Sequence, residues 1–433
     1  MDLLTVSMTL TGILVILLGG TIWIGVSLFL AGLAGLMIFT GLPATTIMAN
    51  IAWNNTSSST MLALPLFIFM GEILFRSKIS DNLFKGMAPW MDGIPGRLLH
   101  VNIFACALFA AVSGSSAATT ATVGKITLPE FEKRNYDKKL SLGSLAGSGT
   151  LGFLIPPSMM MLVYGIMADV SIGKLFLAGV IPGILIALVF SGYVIIRCIA
   201  NPGLAPESAS SYTWGDRVRG IPLLAPVIIL VAVVLGSIYA GWATPTEAAA
   251  VGVVGALFFA ALGRSLTWGV LTDALMGSVK TSCMIMWIVC GAAFLSVAVG
   301  YLGIPRKLTE AIAQAGMSPY TLIVILSIMY LVMGCLLDGF SMIVMSLPIS
   351  LPLIRMAGFD PVWYGIYLVI MIQLAQITPP VGFNLFVING LTGDDLGKIA
   401  LAAMPFFIIL LVITALLTVF PGIVLYLPGL MVQ

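Results

Sequence analysis

Long apolar stretches alternate with short polar or charged connections along the whole chain. A helix that crosses a bilayer about 30 Å thick needs about 20 mostly apolar residues. Stretches of this kind predict membrane-spanning helices at 3–40, 61–75, 174–200, 219–241, 246–263, 280–302 and 397–428. Because hydrocarbon offers the backbone no hydrogen-bond partner, the pattern indicates an all-α polytopic membrane protein. The first stretch is compatible with one split helix or with two shorter helices around Gly19 and Gly20.

Residues 44–60 are too polar to span. They contain Trp53, two asparagines and the run Thr56-Ser57-Ser58-Ser59-Thr60. An aromatic ring beside polar groups is typical of the membrane–water interface. We therefore expect an interfacial segment or a re-entrant lead-in here.

Two further apolar regions are interrupted near their midpoints. The region 98–131 is broken by Ser113-Gly114-Ser115-Ser116, and the region 320–356 is broken between Gly334 and Gly339. Each half contains about 15 residues, which is too few to cross a bilayer. The pattern predicts two re-entrant helical hairpins, which enter the membrane partway and turn back.

A helix interrupted by two adjacent prolines follows each predicted hairpin. The first covers 141–170 and contains Pro156-Pro157, and the second covers 362–390 and contains Pro379-Pro380. Proline lacks an amide donor and clashes with the preceding turn, so each pair frees carbonyl oxygens. Such oxygens are tolerated at membrane depth only where they face protein or a cavity. Both helices are therefore predicted to be discontinuous.

The two interrupted regions form an internal repeat with a displacement of 223 positions. The displacement places Leu128-Pro129 on Leu351-Pro352, Tyr136-Asp137 on Phe359-Asp360, Pro156-Pro157 on Pro379-Pro380, and Ser115 on Asp338. Turn, proline and aromatic-Asp positions therefore recur in register.

Positive charge distinguishes the two copies. Eight lysines and arginines flank the first hairpin, in 76–97 and 130–139, whereas three flank the second, in 299–320 and 353–362. Because positive residues favour the cytoplasmic side, the copies are predicted to be inverted repeats. Inverted repeats with discontinuous helices are typical of secondary transporters, whose ion and substrate sites lie where the broken elements meet.

This reading divides the chain into five parts. They are scaffold helices with the interfacial segment (1–75), a first transport repeat (76–173), scaffold helices with a connecting arm (174–279), a second transport repeat (280–396) and a C-terminal scaffold helix (397–433).

Composition supports a membrane protein and narrows the chemistry. Of the 433 residues, 60% are hydrophobic and 8% are charged, against roughly 25% charged in soluble domains. A net charge of +2 without a long basic run excludes nucleic-acid binding. One histidine, His100, and five cysteines without metal spacing argue against an enzyme, and we expect His100 to be structural. The N-terminus lacks a basic n-region, so we expect genuine spans there and no removable signal.

Several motifs together resemble one transporter family. They are the segment 109–119 (FAAVSGSSAAT), Leu128-Pro129-Glu130 with Lys133-Arg134 and Tyr136-Asp137, the segment 149–158 (GTLGFLIPPS), Asp338, and the segment 377–382 (ITPPVG). This combination resembles the large membrane subunit of tripartite ATP-independent periplasmic (TRAP) transporters, and the likeness extends over essentially the whole chain.

The resemblance implies a sodium-driven importer of an anionic organic acid, with an elevator-type fold in which a transport domain moves against a scaffold. It implies two partners, a periplasmic substrate-binding protein and a small four-helix membrane subunit. Because this chain begins directly with helices of the large subunit, a separate small subunit is expected. The implied location is the cytoplasmic (inner) membrane of a bacterium or archaeon, with Na⁺ as coupling ion and no other cofactor. The substrate itself, a small carboxylate, stays unspecified.

The resemblance also implies two sodium sites. The first uses Ser113 at the first hairpin tip and carbonyl oxygens of Gly152, Ile155 and Pro157, and the second uses Gly334, Ala375, Thr378 and Val381. Oxygen ligands of this kind suit a hard cation. Family members can carry a serine at the position of Ala110, so here a backbone oxygen or water is expected to replace that hydroxyl.

Five polar residues near the breaks have two interpretations each. Ser115, Ser116, Thr150 and Asn384 either bind substrate or form hydrogen bonds between close-packed helices. Asp338 either supports a coupling cation or proton, or caps the helix that begins after it.

Other functions fit the pattern less well. An enzyme would need an acid/base or metal cluster, a channel would need a continuous polar pore, and a purely structural subunit would not need two matched helix breaks. The alternative within transporters is a sodium/dicarboxylate symporter that acts without a binding protein. Such carriers typically have Ser-Asn-Thr at the hairpin tips, where this chain has Ser-Gly-Ser-Ser and Leu-Leu-Asp-Gly.

Overall fold

The computed structural model describes residues 3–77, 79–206, 212–314, 316–335, 337–379 and 382–431, and these residues are almost entirely helical. The α-helices in these ranges are α1 (Leu3–Gly19), α2 (Ile24–Phe39), α3 (Ala44–Thr56), α4 (Ala63–Arg76), α5 (Ile79–Met91), α6 (Leu98–Ser113), α7 (Ser116–Lys133), α8 (Lys138–Gly149), α9 (Met159–Ala168), α10 (Ile172–Ala200), α11 (Trp214–Tyr239), α12 (Pro245–Leu262), α13 (Trp268–Tyr301), α14 (Ile304–Gln314), α15 (Pro319–Gly334), α16 (Gly339–Met356), α17 (Pro361–Gln376), α18 (Phe383–Thr392), α19 (Leu396–Val419) and α20 (Gly422–Gly429). Short 3₁₀ helices cover Ser59–Leu62, Thr150–Phe153 and Pro202–Leu204.

Seven helical segments in the described ranges are long and apolar enough to cross a membrane. They are Ser59–Arg76, α10, α11, α12, α13, α16 and α19. The stretch 3–40 forms two helices, α1 and α2, which are separated at Gly20. α13 begins at Trp268, well before the predicted start at residue 280, because the Thr267 hydroxyl caps its first turn.

The prediction of one helix over the last apolar stretch, 397–428, is wrong. α19 ends at Val419, and Phe420 has a non-helical backbone before α20 begins at Gly422. The physical reason is Pro421, because proline disfavours helical geometry in the residue that precedes it.

Both predicted hairpins form pairs of mutually packed helices. α6 packs on α7, and α15 packs on α16. The arms are unequal, since α6 and α15 have 16 residues and α7 and α16 have 18. At 1.5 Å per residue, 18 residues extend about 27 Å, so the second arms are longer than the sequence indicated.

Each of the two broken helices is interrupted near its proline pair. α8 passes into the 3₁₀ turn Thr150–Phe153, and helical structure resumes only at α9. In the second copy α17 ends at Gln376 and α18 begins at Phe383. Proline residues in these gaps supply no amide hydrogen for a continuous helix.

The secondary structure repeats with the displacement found in the sequence. Moved by 223 positions, the bounds of α7 become 339 and 356, which are those of α16. The first residue of α8 likewise falls on the first residue of α17, and the amphipathic α5 falls on α14. The repeat therefore includes the short helix that precedes each hairpin.

Helix packing distinguishes two groups, which also contact each other through α5 on α11, α6 on α4 and α16 on α13. α13 packs on α2 and α4, and α12 packs on α4 and α11. α8 packs on α6, α7 and α19, while α10 packs on α9, α17 and α19. The hairpins and broken helices belong to the second group, and they place the candidate site at its centre.

Candidate functional site

Each hairpin tip lies against the break of a discontinuous helix. A Cβ added at Gly152 would lie 2.9 Å from the carbonyl oxygen of Ser115 and 3.0 Å from the amide nitrogen of Ser116. A Cβ added at Gly334 would lie 2.1 Å from the Cβ of Ala375. Gly152 and Ala375 are equivalent in the repeat, so the same position of each broken helix touches a hairpin tip, although the tip residues are not equivalent. The structure thus brings the segment with Gly152 to the first tip, and Gly334 to Ala375.

Hydroxyl groups organise the first tip. Ser113 is buried, and its Oγ lies 2.8 Å from Oγ1 of Thr119. Thr119 Oγ1 in turn donates to the carbonyl oxygen of Ser115 at 2.7 Å. Gly114 between them adopts the left-handed conformation at φ +58°, which favours glycine, and it packs on Met159. Ser113 therefore holds a defined position at the tip.

The helix break leaves carbonyl oxygens available. Within the described part of the chain, no amide or hydroxyl donates a hydrogen bond to the carbonyl oxygens of Gly152, Ile155 or Pro157. The neighbouring carbonyl of Phe153 accepts a hydrogen bond from Ser158, so it is already occupied. An unpaired buried carbonyl is costly, and a bound cation would satisfy it. These three oxygens suit the predicted role.

The second tip offers similar groups. Among the described residues, none donates to the carbonyl oxygen of Gly334. The Thr378 hydroxyl donates to the carbonyl of Leu374 at 2.6 Å, which leaves its own oxygen free to accept a cation. The carbonyl of Ala375 accepts a long bond, 3.3 Å, from the amide of Thr378. Val381, predicted for this site, lies outside the described residues.

Two of the four predicted substrate residues, Ser116 and Asn384, meet at one junction of α7, α8 and α18. Ser116 Oγ donates to Oδ1 of Asn384 at 2.9 Å, and both side chains are fully buried. Asn384 Nδ2 also approaches the carbonyl of Ala146 at 3.4 Å. Thr150, at the end of α8, donates to the carbonyl of Gly147 at 2.7 Å. Asn384 of the second repeat therefore joins two helices of the first.

Ser115 and Asp338 occupy equivalent positions and both cap a helix. Ser115 Oγ accepts the amide of Ala118 at 3.4 Å at the start of α7. The Asp338 carboxylate accepts the amide of Phe340 at 3.0 Å and the hydroxyl of Ser341 at the start of α16. The capping interpretation of Asp338 is confirmed. A coupling role for this exposed carboxylate stays a prediction.

Sequence reasoning missed a threonine at this junction. Thr120 Oγ1 is buried, and none of the described residues forms a hydrogen bond with it. A Cβ added at Gly149 would lie 1.9 Å from this oxygen and 3.4 Å from Nδ2 of Asn384. Thr120 lies one helical turn after Ser116 on the same face of α7, and this spacing was the signal available in the sequence.

A tyrosine network behind the second tip was also missed. The buried hydroxyl of Tyr330 on α15 donates to Ser346 Oγ of α16 at 3.1 Å and lies 2.5 Å from the hydroxyl of Tyr364 on α17. These bonds join the second hairpin to α17 one helical turn before Gly334.

His100 has the structural role that the sequence predicted. It is fully buried, with Nε2 2.7 Å from the carbonyl oxygen of Pro95 and Nδ1 2.8 Å from Oγ of Ser191. Both ring nitrogens are therefore used by the protein itself.

An ion pair joins the two repeats outside the apolar segments. Lys138 Nζ donates to Oδ1 of Asp394 at 2.7 Å, which links the start of α8 to the loop after α18. This hydrogen bond lowers the pKa of the Asp394 carboxyl below its ordinary value.

Comparison with known proteins indicates the same family as the sequence motifs. The family model described as "Tripartite ATP-independent periplasmic transporter, DctM component" matches residues 10–423. The C4-dicarboxylate TRAP transporter large permease protein DctM of Pseudomonas aeruginosa is 35% identical over 373 residues, which cover 86% of each chain. The sialic acid TRAP transporter large permease protein SiaM of Vibrio cholerae is 29% identical over 94% of this chain and 95% of its own.

A solved structure shares the fold. The YdaH transporter of Alcanivorax borkumensis aligns with a TM-score of 0.60 over 88% of this chain and 87% of its own, at 13% identity. At that identity the similarity concerns the fold alone.

Proposed function

The chain belongs to the family of the DctM component of tripartite ATP-independent periplasmic transporters, and on that premise we propose that it drives sodium-coupled uptake of an anionic organic acid by an elevator mechanism. It is a multi-pass inner-membrane permease and not an enzyme. Relatives are named for C4-dicarboxylates and for sialic acid, and we propose a carboxylate of that kind as substrate. The partners are a small membrane subunit, which we propose has four helices, and a periplasmic binding protein that delivers the substrate.

The paired contacts between hairpin tips and helix breaks are the observation that carries this proposal. At each contact a glycine lets the tip backbone approach the broken helix closely, and oxygens without donors lie in the same segment. Carbonyl and hydroxyl oxygens suit Na⁺, and an amide or hydroxyl cluster beside them suits a carboxylate. The Ser116–Asn384 junction lies next to the first contact, so a cation there would stabilise a bound anion.

We propose that the hairpins are re-entrant and the repeats inverted. The excess of positive charge around the first hairpin supports a cytoplasmic location for its ends. Lys138, at the start of α8, then lies on the same side as Asp394, to which it is bonded. This arrangement is consistent with α18 ending in the cytoplasm, as an inverted second repeat requires.

The moving body in this proposal includes α10 and α19, which the sequence assigned to the scaffold. Phe190 of α10 packs edge-on against Phe406 of α19 with ring centroids 5.1 Å apart. A Cβ added at Gly143 of α8 would lie 2.1 Å from the carbonyl oxygen of Ala402 in α19. Helices in backbone contact do not slide past one another without separating, so α10 and α19 would travel with the repeats. The group of α2, α4, α11, α12 and α13 would remain fixed together with α5, because a Cβ added at Gly86 of α5 would lie 2.9 Å from the carbonyl oxygen of Gly220 in α11.

Reconstituted uptake tests the function. The chain is placed in vesicles with its small subunit, and uptake of the carboxylate is measured with a sodium gradient and the loaded binding protein. We expect uptake to require both. Robust sodium-driven uptake without the binding protein would contradict the tripartite mechanism and favour the stand-alone symporter.

A matched pair of threonine variants tests the second sodium site. Thr378→Val removes the hydroxyl at the tip, and Thr414→Val removes one that makes the same bond to the carbonyl four residues earlier, in α19. We expect the concentration of sodium for half-maximal uptake to rise several-fold in Thr378→Val alone, because one ligand oxygen is lost. Equal values in the two variants would contradict the assignment.

Cross-linking tests the moving body. Phe75 of α4 and Phe109 of α6 have ring centroids 6.5 Å apart across the proposed sliding surface. Cysteines at these positions, joined by a short bifunctional reagent, should stop uptake. The same reagent at Phe190→Cys and Phe406→Cys should leave uptake intact, and inhibition by that second cross-link would contradict common motion of α10 and α19.

A further inference from the structure

Lys125 is a charged residue in the middle of α7, the second arm of the first hairpin. It is eight positions before Lys133, the last residue of that helix, so it lies about 12 Å along the axis from the cytoplasmic end in the proposed topology. A charge at such depth is costly and usually functional unless it is paired or reaches water. Among the described residues, no carboxylate forms an ion pair with Lys125.

The side chain of Lys125 is exposed, so the space beside α7 accommodates its charge. Side chains in a helix tilt toward its N-terminus. The N-terminus of α7 is the hairpin tip at Ser116, so the tilt directs Lys125 toward the tip and away from the cytoplasmic surface.

A cavity of about 470 Å³ receives this side chain. It lies between α7, α8 and α18, and its walls include Gly124, Leu128, Ser141 and Leu391. At the inner end of the cavity α7 packs closely on α8 and α18. A Cβ added at Gly124 would lie 2.7 Å from Leu145 of α8 and 2.9 Å from Leu391 of α18. Thr120, beside Asn384, is one turn further toward the tip. The cavity therefore extends from the proposed cytoplasmic side to Gly124, where the packing of α7 on Leu145 and Leu391 separates it from the Ser116–Asn384 junction further in.

The other charged groups of the cavity stand nearer its mouth. Glu132 is two helical turns closer to the cytoplasmic end than Lys125, and Lys138 is held by Asp394. Among the lining residues that the structure describes, Lys125 is thus the unpaired charge closest to the Ser116–Asn384 junction.

We propose that Lys125 forms an anion-binding site between the substrate junction and the cytoplasm, which takes the carboxylate of the organic acid as it leaves. This inference rests on the proposed function. A lysine at that place attracts an anion that leaves through the cavity, whose lining also includes Glu132, Asn135 and Ser141. With an effective dielectric constant near 20, one charge at about 8 Å changes an anion's population by tenfold or more.

The main test compares lysine variants in the complete complex with sodium and loaded binding protein. Lys125→Gln should lower kcat for uptake roughly tenfold and leave KM for the loaded binding protein unchanged. Lys125→Arg should retain most of the rate, and Lys133→Gln, on the same helix but outside the cavity, should match wild type. Equal rates for Lys125→Gln and Lys133→Gln would overturn the proposal. Failure of the wild type to show sodium-dependent uptake would instead refute the function on which it rests.

Chemical labelling gives a second readout and separates two sources of anion. The complex in phosphatidylcholine nanodiscs is treated with an acetylating reagent, with and without a high concentration of succinate, and modified lysines are counted by mass spectrometry. Succinate should protect Lys125 and leave Lys133 reactive. If Lys125 reacts equally with and without succinate but is protected from acetylation when phosphatidylglycerol replaces phosphatidylcholine, it binds a lipid headgroup. That pair of results would overturn the proposal.

Discussion

Replacing Gly334 by alanine tests whether the second hairpin tip must touch α17. The new Cβ would lie 2.1 Å from the Cβ of Ala375 and 3.0 Å from its Cα. Carbon atoms pack at about 3.5–4.0 Å, so the tip must withdraw by roughly 1.5 Å. Neither methyl group can rotate away, because the backbone fixes the position of a Cβ atom.

The withdrawal should be visible in stability and in sodium affinity. Overpacking of this kind costs about 1–3 kcal/mol, and alanine regains at most about 1 kcal/mol of helix propensity at the end of α15. Displacing groups that position metal ligands typically weakens binding by about 10–100-fold. We therefore expect a lower thermal midpoint and at least a tenfold rise in the sodium concentration for half-maximal uptake.

Two further variants isolate the contact. Gly390→Ala, on α18, places a methyl group where no atom lies within 4 Å and should behave as wild type. The exchange of both residues, Gly334→Ala with Ala375→Gly, removes the 2.1 Å contact and leaves the new Cβ 3.0 Å from the Cα of residue 375, so it should restore most of the sodium affinity. The reasoning is refuted if Gly334→Ala matches Gly390→Ala, or if the exchange restores nothing.

Three other predictions follow from buried or paired polar groups. Asn384→Ala leaves the Ser116 hydroxyl without its partner, and a double-mutant cycle with Ser116→Ala, read by thermal unfolding, should give a coupling of about 0.6–1.7 kcal/mol; a coupling near zero would contradict the bond. The lowered pKa of Asp394 means that its pair with Lys138 stabilises the fold above the ordinary carboxyl pKa and is lost as pH falls through the lowered value. Because the pair is partly exposed, Asp394→Asn should lower the free energy of unfolding by less than about 1 kcal/mol at pH 7. In acid the substitution should have no effect on stability. A loss of stability that persists in acid would exclude the ion pair as its cause. His100→Phe leaves Ser191 and the carbonyl of Pro95 unpaired and should lower stability by about 1–3 kcal/mol with sodium affinity unchanged; a shift in sodium affinity would show that His100 also affects the ion sites.

Local sequence signals located most of the elements. Apolar length predicted α10, α11, α12 and α19 as spans, since a helix in lipid pairs its own backbone. Proline pairs and Ser/Gly runs predicted where α8, α17 and the hairpins end, because those residues change the backbone that carries them. Boundaries set by capping, such as the start of α13 at Thr267, were less accurate.

The sequence by itself determined the fold class, the position of the breaks and the repeat of 223 positions, because each depends on the residue at that place and its near neighbours. Only the tertiary structure decided which broken helix each tip touches, that Asn384 bonds to Ser116 across 268 positions, and that α10 and α19 pack with the repeats. The physical reason is that these contacts join segments far apart in the chain. Their partners are selected by the shape of facing surfaces, which no local pattern of apolar and polar residues records.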